Sequence, residues 1–376
     1  MEGKRVEENR SEVLSEDLMK AARVAMKDVM KIKKDERVLI ITNPSRDVSR
    51  ISKALFKASE ELESNPVLMI QPVKSQLDMA SPEVLSAIRS EPEVLISVSE
   101  EKLGKDPQAI KNPIKVGDNT YDHYFNYLLG EKVSRSFWSP SVTEDMFIRT
   151  VPIDYEELKN NCKKIKEVLD RGHNVHIKAP SGTDITIGIN NREAKTDDGD
   201  FSSPGDGGNL PAGETFISPE LGASRGKIVF DGSIASDKGI IIIENPIECD
   251  VDGGFVTTIS GKDEADKLRE TISRAKETTE NFVKKGKIPQ DQLDHYRQNT
   301  NNLGELGIGL NPSATIIGNM LEDEKVYGTC HIAIGANYDN DARALIHLDG
   351  LIKEPTITVT GEGFEEIIMK NGNLTI

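Results

Sequence analysis

The chain has 376 residues, enough for two domains of roughly 150 to 200 residues rather than one hydrophobic core. Its 36% hydrophobic and 29% charged residues are ordinary for a folded globular protein, and 47 Lys+Arg against 63 Asp+Glu give a formal charge of −16, which disfavours nucleic acid and anionic lipid as partners. The longest apolar runs, such as GIIIIENP after Lys238, fall far short of the roughly 20 residues of a membrane span.

The N-terminal stretch MEGKRVEENRSEVLSEDLMK is charged and lacks the apolar core of a secretory signal, so a cytoplasmic location is expected. Cys162, Cys249 and Cys330 lie far apart with no C-x-x-C pair, which suits a reducing compartment and excludes a thiolate zinc cluster. A metal here would need nitrogen and oxygen ligands.

Along the chain, an amphipathic helical pattern over Ser15 to Met30 is followed by the strand-like RVLIITNP, a helical RISKALFKASEEL and the strand-like PVLMIQP. PEVLSAIRS then reads as helix and PEVLISVS as strand, the β-α-β rhythm of a parallel, doubly wound sheet. The turn after the first strand, NPSRD, carries neither a G-x-G-x-x-G nor a Walker A motif, so no nucleotide site is expected there. RSFWSPSVTEDMFIRTVPIDY reads as strand and turn leading out of an α/β domain over residues 1–150.

Residues 151–376 read as an α+β, β-rich catalytic domain with mainly antiparallel strands. It opens with the charged amphipathic helix YEELKNNCKKIKEVLDRG, ending at Gly172, a residue favoured after a helix C-terminus. NVHIKAPSGTDITIGI follows as two alternating strands around a Pro-Ser-Gly-Thr turn, and most later segments are short strands separated by Gly and Pro. One long helix, about Asp263 to Lys284, is charged nearly all round and reads as a solvated covering helix. No internal repeat is visible.

Chemistry concentrates near the C-terminus, in HIAIGANYDNDARALIHLDG, which holds two of the six histidines. His347 and Asp349, at i and i+2 of a strand, point to one face, a geometry that suits zinc, cobalt, manganese or iron(II) and equally a hydrogen-bonded structural pair. His331 opens another alternating strand opposite its isoleucine face. Upstream acids recur beside Gly and Pro: Glu214 in NLPAGETFISPE, Glu305 in NNLGELGIGLNP, and Glu322, Asp323 and Glu324 in MLEDEKVYGTC. Glu305 stands alone in a small, apolar segment, so a metal or backbone N–H groups must satisfy it.

GTDITIGI, NLPAGETFISPE, GELGIGLNP, HIAIGANY and HLDG occur in the order and approximate spacing of the thermophilic, aminopeptidase T-type leucyl aminopeptidase family of two-metal peptidases. The chain resembles that family over about residues 150–376. The resemblance implies Glu214, Glu305, His331, His347 and Asp349 as metal ligands, with Glu324 as a further acid. The spacing there is longer than the family's, so Glu322 and Asp323 are alternatives. It also implies Tyr338 as an active-site tyrosine, a homodimer, and short peptides with a free N-terminus as substrates.

Four carboxylates, Glu214, Glu305, Glu324 and Asp349, would balance two divalent ions (Zn, Co or Mn). On that reading a metal-activated water attacks the first peptide bond, a carboxylate such as Glu214 or Glu324 relays its proton, and Tyr338 donates to the oxyanion.

Two rival readings remain. A ring-cleaving dioxygenase that resembles this peptidase family uses one iron(II) on two histidines and a carboxylate, which His331, His347 and Asp349 would satisfy, although Glu214 and Glu305 would then lack a purpose. A non-catalytic relative would bind peptide or metal only. His123, His173, His176 and His295 are given no catalytic role, with a helix C-terminal dipole partner as the reading for His173 and His176.

Overall fold

A computed structural model describes residues 13–75 and 77–376. They form two compact units: one runs to Pro152 and takes back Phe201–Gly207, the other comprises Ile153–Asp200 and Gly208–Ile376. Among the described residues no helix is long and apolar enough to cross a membrane, and the three cysteines are buried and free.

The first unit is α/β. Strands Arg37–Thr42, Asn65–Ile70, Val94–Ser99 and Arg135–Pro140 pair in parallel, in the spatial order 135–140, 94–99, 37–42, 65–70, and a short strand starting at Gly207 adds an edge. Val94–Ser99 is buried at every position, as expected of a parallel strand covered on both faces. NPSRD is a plain strand-to-helix turn, with the helix Arg46–Glu61 starting directly after Ser45. TEDMFIRT departs from the expected turn: Glu144–Thr150 is a helix. Thr143 Oγ1 accepts from the Met146 N–H at 3.2 Å, and Glu144 and Asp145 occupy the positive first turn.

The second unit opens with the expected helix, Tyr155–Asp170, whose cap Asp154 accepts from the Glu156 and Glu157 N–H groups. The hairpin Asn174–Lys178 and Asp184–Gly188 follows. Strands of this unit make an eight-stranded and a seven-stranded sheet, and their pairings are antiparallel. The helix Asp263–Lys284 covers the fold as expected, but through a buried stripe of Ala265, Leu268, Ile272, Ala275 and Val283.

Strand alternation positions the site. In the seven-stranded sheet, Leu306 and Ile308, then Cys330, Ile332 and Ile334, then Leu348 and Ile352 join the hydrophobic core. The intervening residues must face the other way. That opposite face carries Glu305 and Gly307, His331 and Ala333, and His347 and Asp349 on three adjacent strands, with Glu214 and Phe216 on a fourth.

Candidate metal centre

Five sequence-predicted ligands come together on this face. Glu214, Glu305 and His331 form one group able to hold an ion, Glu305, His347 and Asp349 a second, and Glu305 belongs to both. His331 Nε2 lies 3.1 Å from Glu305 Oε1 and 3.3 Å from Glu214 Oε2. His347 Nε2 lies 3.4 Å from Glu305 Oε2 and 3.2 Å from Asp349 Oδ1. Glu305 is thus met by two imidazoles, not by the backbone N–H groups that were the alternative.

Register explains the convergence. Ala333 pairs with both Glu305 and Asp349, and Gly307 pairs with His331. A Cβ added to Gly307 would stand 2.0 Å from His331 Nε2, so only glycine leaves room for the imidazole to lie across the neighbouring strand. His347 Nδ1 is 2.8 Å from the Ala336 carbonyl, an acceptor only. Nδ1 therefore carries the proton and Nε2 is aimed at the carboxylates, the usual orientation device for a metal-binding histidine.

The residues fit a cation. Glu214 Oε2, Glu305 Oε2, Asp349 Oδ1 and His331 Nδ1 are buried without a hydrogen-bond partner. Leaving three buried carboxylate oxygens without donors is costly unless a cation meets them. The nitrogen and oxygen donors suit iron(II), manganese, cobalt or zinc.

The local electrostatics agree. Burial pushes Glu214 up to about 8 against the pull of Lys325. For His331 burial opposes the charged ring, but the Glu305 hydrogen bond and the Glu214 carboxylate raise it to about 9. Burial would also raise Asp349, yet His347 beside it holds it at about 2. Protons shared among such groups are what a divalent ion replaces on binding.

The acidic run before His331 divides by role. Glu322 Oε1 accepts from the Thr315 N–H at 2.7 Å, and Asp323 accepts from the Ser233 hydroxyl at 2.6 Å and the Ile317 N–H at 2.8 Å. Both tie down the chain. Glu324 turns to the centre's edge but stands outside both ligand groups, 2.8 Å from Lys325 Nζ. Lys325 and Asp197 were not foreseen, since nothing local in either segment marks a buried partner for Glu214. Lys325 is fully buried, with Nζ also 2.5 Å from Glu214 Oε1 and 3.3 Å from Asp197 Oδ2.

Tyr338 stands beside the centre, with its ring centroid 5.2 Å from those of His347 and Phe216. Lys195 Nζ lies 5.9 Å from the Tyr338 ring centre. Tyr338 is half exposed, but partial desolvation of its phenol against the site, with the carboxylates of Glu305 and Asp349, raises its pKa and keeps it protonated. Arg192 pairs with Asp339 at 3.0 Å and Asp341 at 2.8 Å, which anchors the loop after Tyr338.

Three of the remaining histidines have local partners for their rings. His176 meets Asp184 within its hairpin at 2.7 Å rather than a helix dipole. His123 caps the helix Tyr124–Gly130, and His295 meets Asn299 at 3.1 Å.

The model of the family NicX, 2,5-dihydroxypyridine 5,6-dioxygenase, matches residues 141–285, a stretch that includes Glu214 and ends before the other ligands. No curated protein matches significantly. Among solved structures, 2,5-dihydroxypyridine dioxygenase from Pseudomonas putida KT2440 superposes with a TM-score of 0.70 at 16% identity, over 95% of this chain and 96% of that one. Wild-type AmpT (aminopeptidase T) from Thermus thermophilus superposes with a TM-score of 0.62 at 16% identity, over 97% and 100%. The fold is the one these two enzymes share.

Proposed function

We propose that this protein is a metal-dependent enzyme of the ring-cleaving dioxygenase type, acting through one iron(II) on a hydroxylated aromatic or nitrogen-heteroaromatic ring. The match of residues 141–285 to the NicX family carries this reading, and it places the peptidase expectation second.

Glu305, His347 and Asp349 would hold the ion, with His331 orienting Glu305 through its other oxygen. The set is richer in carboxylate than the two-histidine triad suggested by the sequence, and it gives Glu305 a purpose. Iron(II) bound there would supply the electron transfer that lets ground-state dioxygen react with a ring, both oxygen atoms entering the product and no external reductant being needed. Phe216 and Tyr338 offer an aromatic wall for a planar substrate, and Lys195 offers a cation for a phenolate or carboxylate on it. The protonated Tyr338 phenol can donate to a substrate oxygen.

One observation favours the two-metal aminopeptidase as a second reading: Glu305 is shared by both ligand groups, as a carboxylate bridging two ions would be. Short peptides with a free N-terminus would then be the substrates. Protein loaded anaerobically with iron(II) should take up one dioxygen per dihydroxypyridine or related ring consumed. Absence of oxygen uptake across such rings, with release of chromophore from aminoacyl substrates by the zinc, cobalt or manganese form, would replace the dioxygenase by the peptidase.

A further inference from the structure

We propose that the Lys325 ammonium is a built-in cation at Glu214 that takes the place of a second divalent ion and limits the centre to one. The inference rests on the reading of the cluster as a metal centre and adds the number of ions it accepts.

Lys325 is fully buried, and its surroundings account for its charge and each of its donors. An ammonium has three N–H donors and no acceptor. Three carboxylate oxygens meet it, Glu214 Oε1 at 2.5 Å, Glu324 Oε1 at 2.8 Å and Asp197 Oδ2 at 3.3 Å. These come from two strands and the end of the helix Met320–Asp323. The donor count is filled.

The backbone fixes this position. The Lys325 N–H donates to the Glu322 carbonyl at 2.9 Å, and its own carbonyl accepts from the Asn311 N–H at 2.8 Å. Gly309 lets the segment lie close, since a Cβ there would stand 2.2 Å from the Val326 carbonyl oxygen. The lysine is therefore held in the centre's wall and does not reach in from the surface.

The two ligand groups are consequently unequal. Lys325 forms its ion pairs with Asp197, Glu214 and Glu324, and reaches Asp349, in the group with His347, only as a longer-range charge. In the other group, Glu214 already gives one oxygen to Lys325 and has only Oε2 left for an ion. Asp197 and Glu324, the further carboxylates a second ion would recruit, each already give one oxygen to the same ammonium, and Asp197 Oδ1 is buried without a partner. A divalent ion entering beside His331 would share one carboxylate with a fixed positive charge, and repulsion at that range is weakly screened in a buried site.

The test is metal stoichiometry and manganese EPR on the full chain. Wild-type protein loaded with manganese(II) should hold one ion per chain and show the hyperfine pattern of an isolated ion. Lys325→Met should take up a second ion and show an exchange-coupled pair, while Lys325→Arg stays at one. A coupled pair in the wild type, or a folded Lys325→Met that still holds one ion, overturns the proposal; if Lys325→Met does not fold, the wild-type spectrum alone decides. One ion without ring cleavage would remove the dioxygenase reading and leave this inference standing. Two ions with ring cleavage would remove this inference and the single-iron part of the dioxygenase reading, leaving the ring-cleaving activity itself.

Discussion

The His331 imidazole lies across Gly307 on the neighbouring strand, so close that any Cβ at position 307 would occupy the place of Nε2. Gly307→Ala should push the ring off Glu305 and Glu214 without removing any ligand. Losing the group that orients a metal-binding carboxylate weakens binding by roughly 10–100-fold. Competition for iron(II) or zinc against a chromophoric chelator measures this directly, and an affinity equal to wild type would mean that His331 plays no part in holding the ion.

Metal should also stabilise the second unit, because Glu214 Oε2, Glu305 Oε2 and Asp349 Oδ1 are buried without donors. An ion at about 100 times its dissociation constant contributes about 2.7 kcal/mol, which corresponds to a rise in Tm of roughly 5–10 °C for a unit of this size. Calorimetry with and without a chelator checks it. His347→Ala should abolish most of the rise, and a rise that survives in that variant would place the ion elsewhere.

Much of this centre is legible in the sequence because strand alternation is local: two residues apart on one strand, His347 and Asp349 can only share a face. Which strands become neighbours is not local. Lys325 sits in EDEK beside the three candidate acids, and its burial depends on Lys195–Asp197 and Glu214–Ile217 being brought beside it from more than a hundred residues away. The roles of Glu322, Asp323 and Glu324 were likewise undecidable, since three consecutive acids differ only in the direction a short helix gives them. The return of Phe201–Gly207 to the first unit has no signal beyond a Gly- and Ser-rich composition that reads as loop.

Those three acids can be separated by experiment. Asp323→Ala strips partners from the Ser233 hydroxyl and the Ile317 N–H, and unsatisfied buried groups cost about 1–3 kcal/mol each. It should lower the unfolding midpoint yet leave the metal content per chain unchanged. Glu324→Gln should instead alter metal content or affinity, through Lys325. If the Asp323 variant lost metal while Glu324→Gln kept it at wild-type affinity, the assignment of roles would be inverted.

Tyr338 touches the centre through ring contacts and is protonated throughout the working pH range. Tyr338→Phe keeps the wall but removes the donor. Turnover should fall by about 10–100-fold or more, as for loss of one positioned donor, while metal affinity stays within about twofold. Equal losses in both would assign Tyr338 to the architecture of the site rather than to its chemistry.

In the first unit the pH response should be set by Asp106. Its buried carboxylate accepts from the Gln108 and Ala109 N–H groups at 3.0 and 3.1 Å and pairs with Arg89 at 2.6 Å. Burial alone would raise its pKa, but the backbone donors and Arg89 outweigh it and hold the group below its ordinary value. A carboxyl depressed on folding gives stabilisation that is complete above the unfolded value of about 3.9 and is lost as the pH falls through the folded value. Asp106→Asn should therefore unfold more easily than wild type at pH 7, by about 1–3 kcal/mol, and the gap should close only as the pH drops below 4. The single tryptophan, Trp138, lies in this unit and reports its unfolding by fluorescence. A gap that stayed constant down to the lowest pH would show that the charge on Asp106 is not what holds the helix Pro107–Lys111 in place.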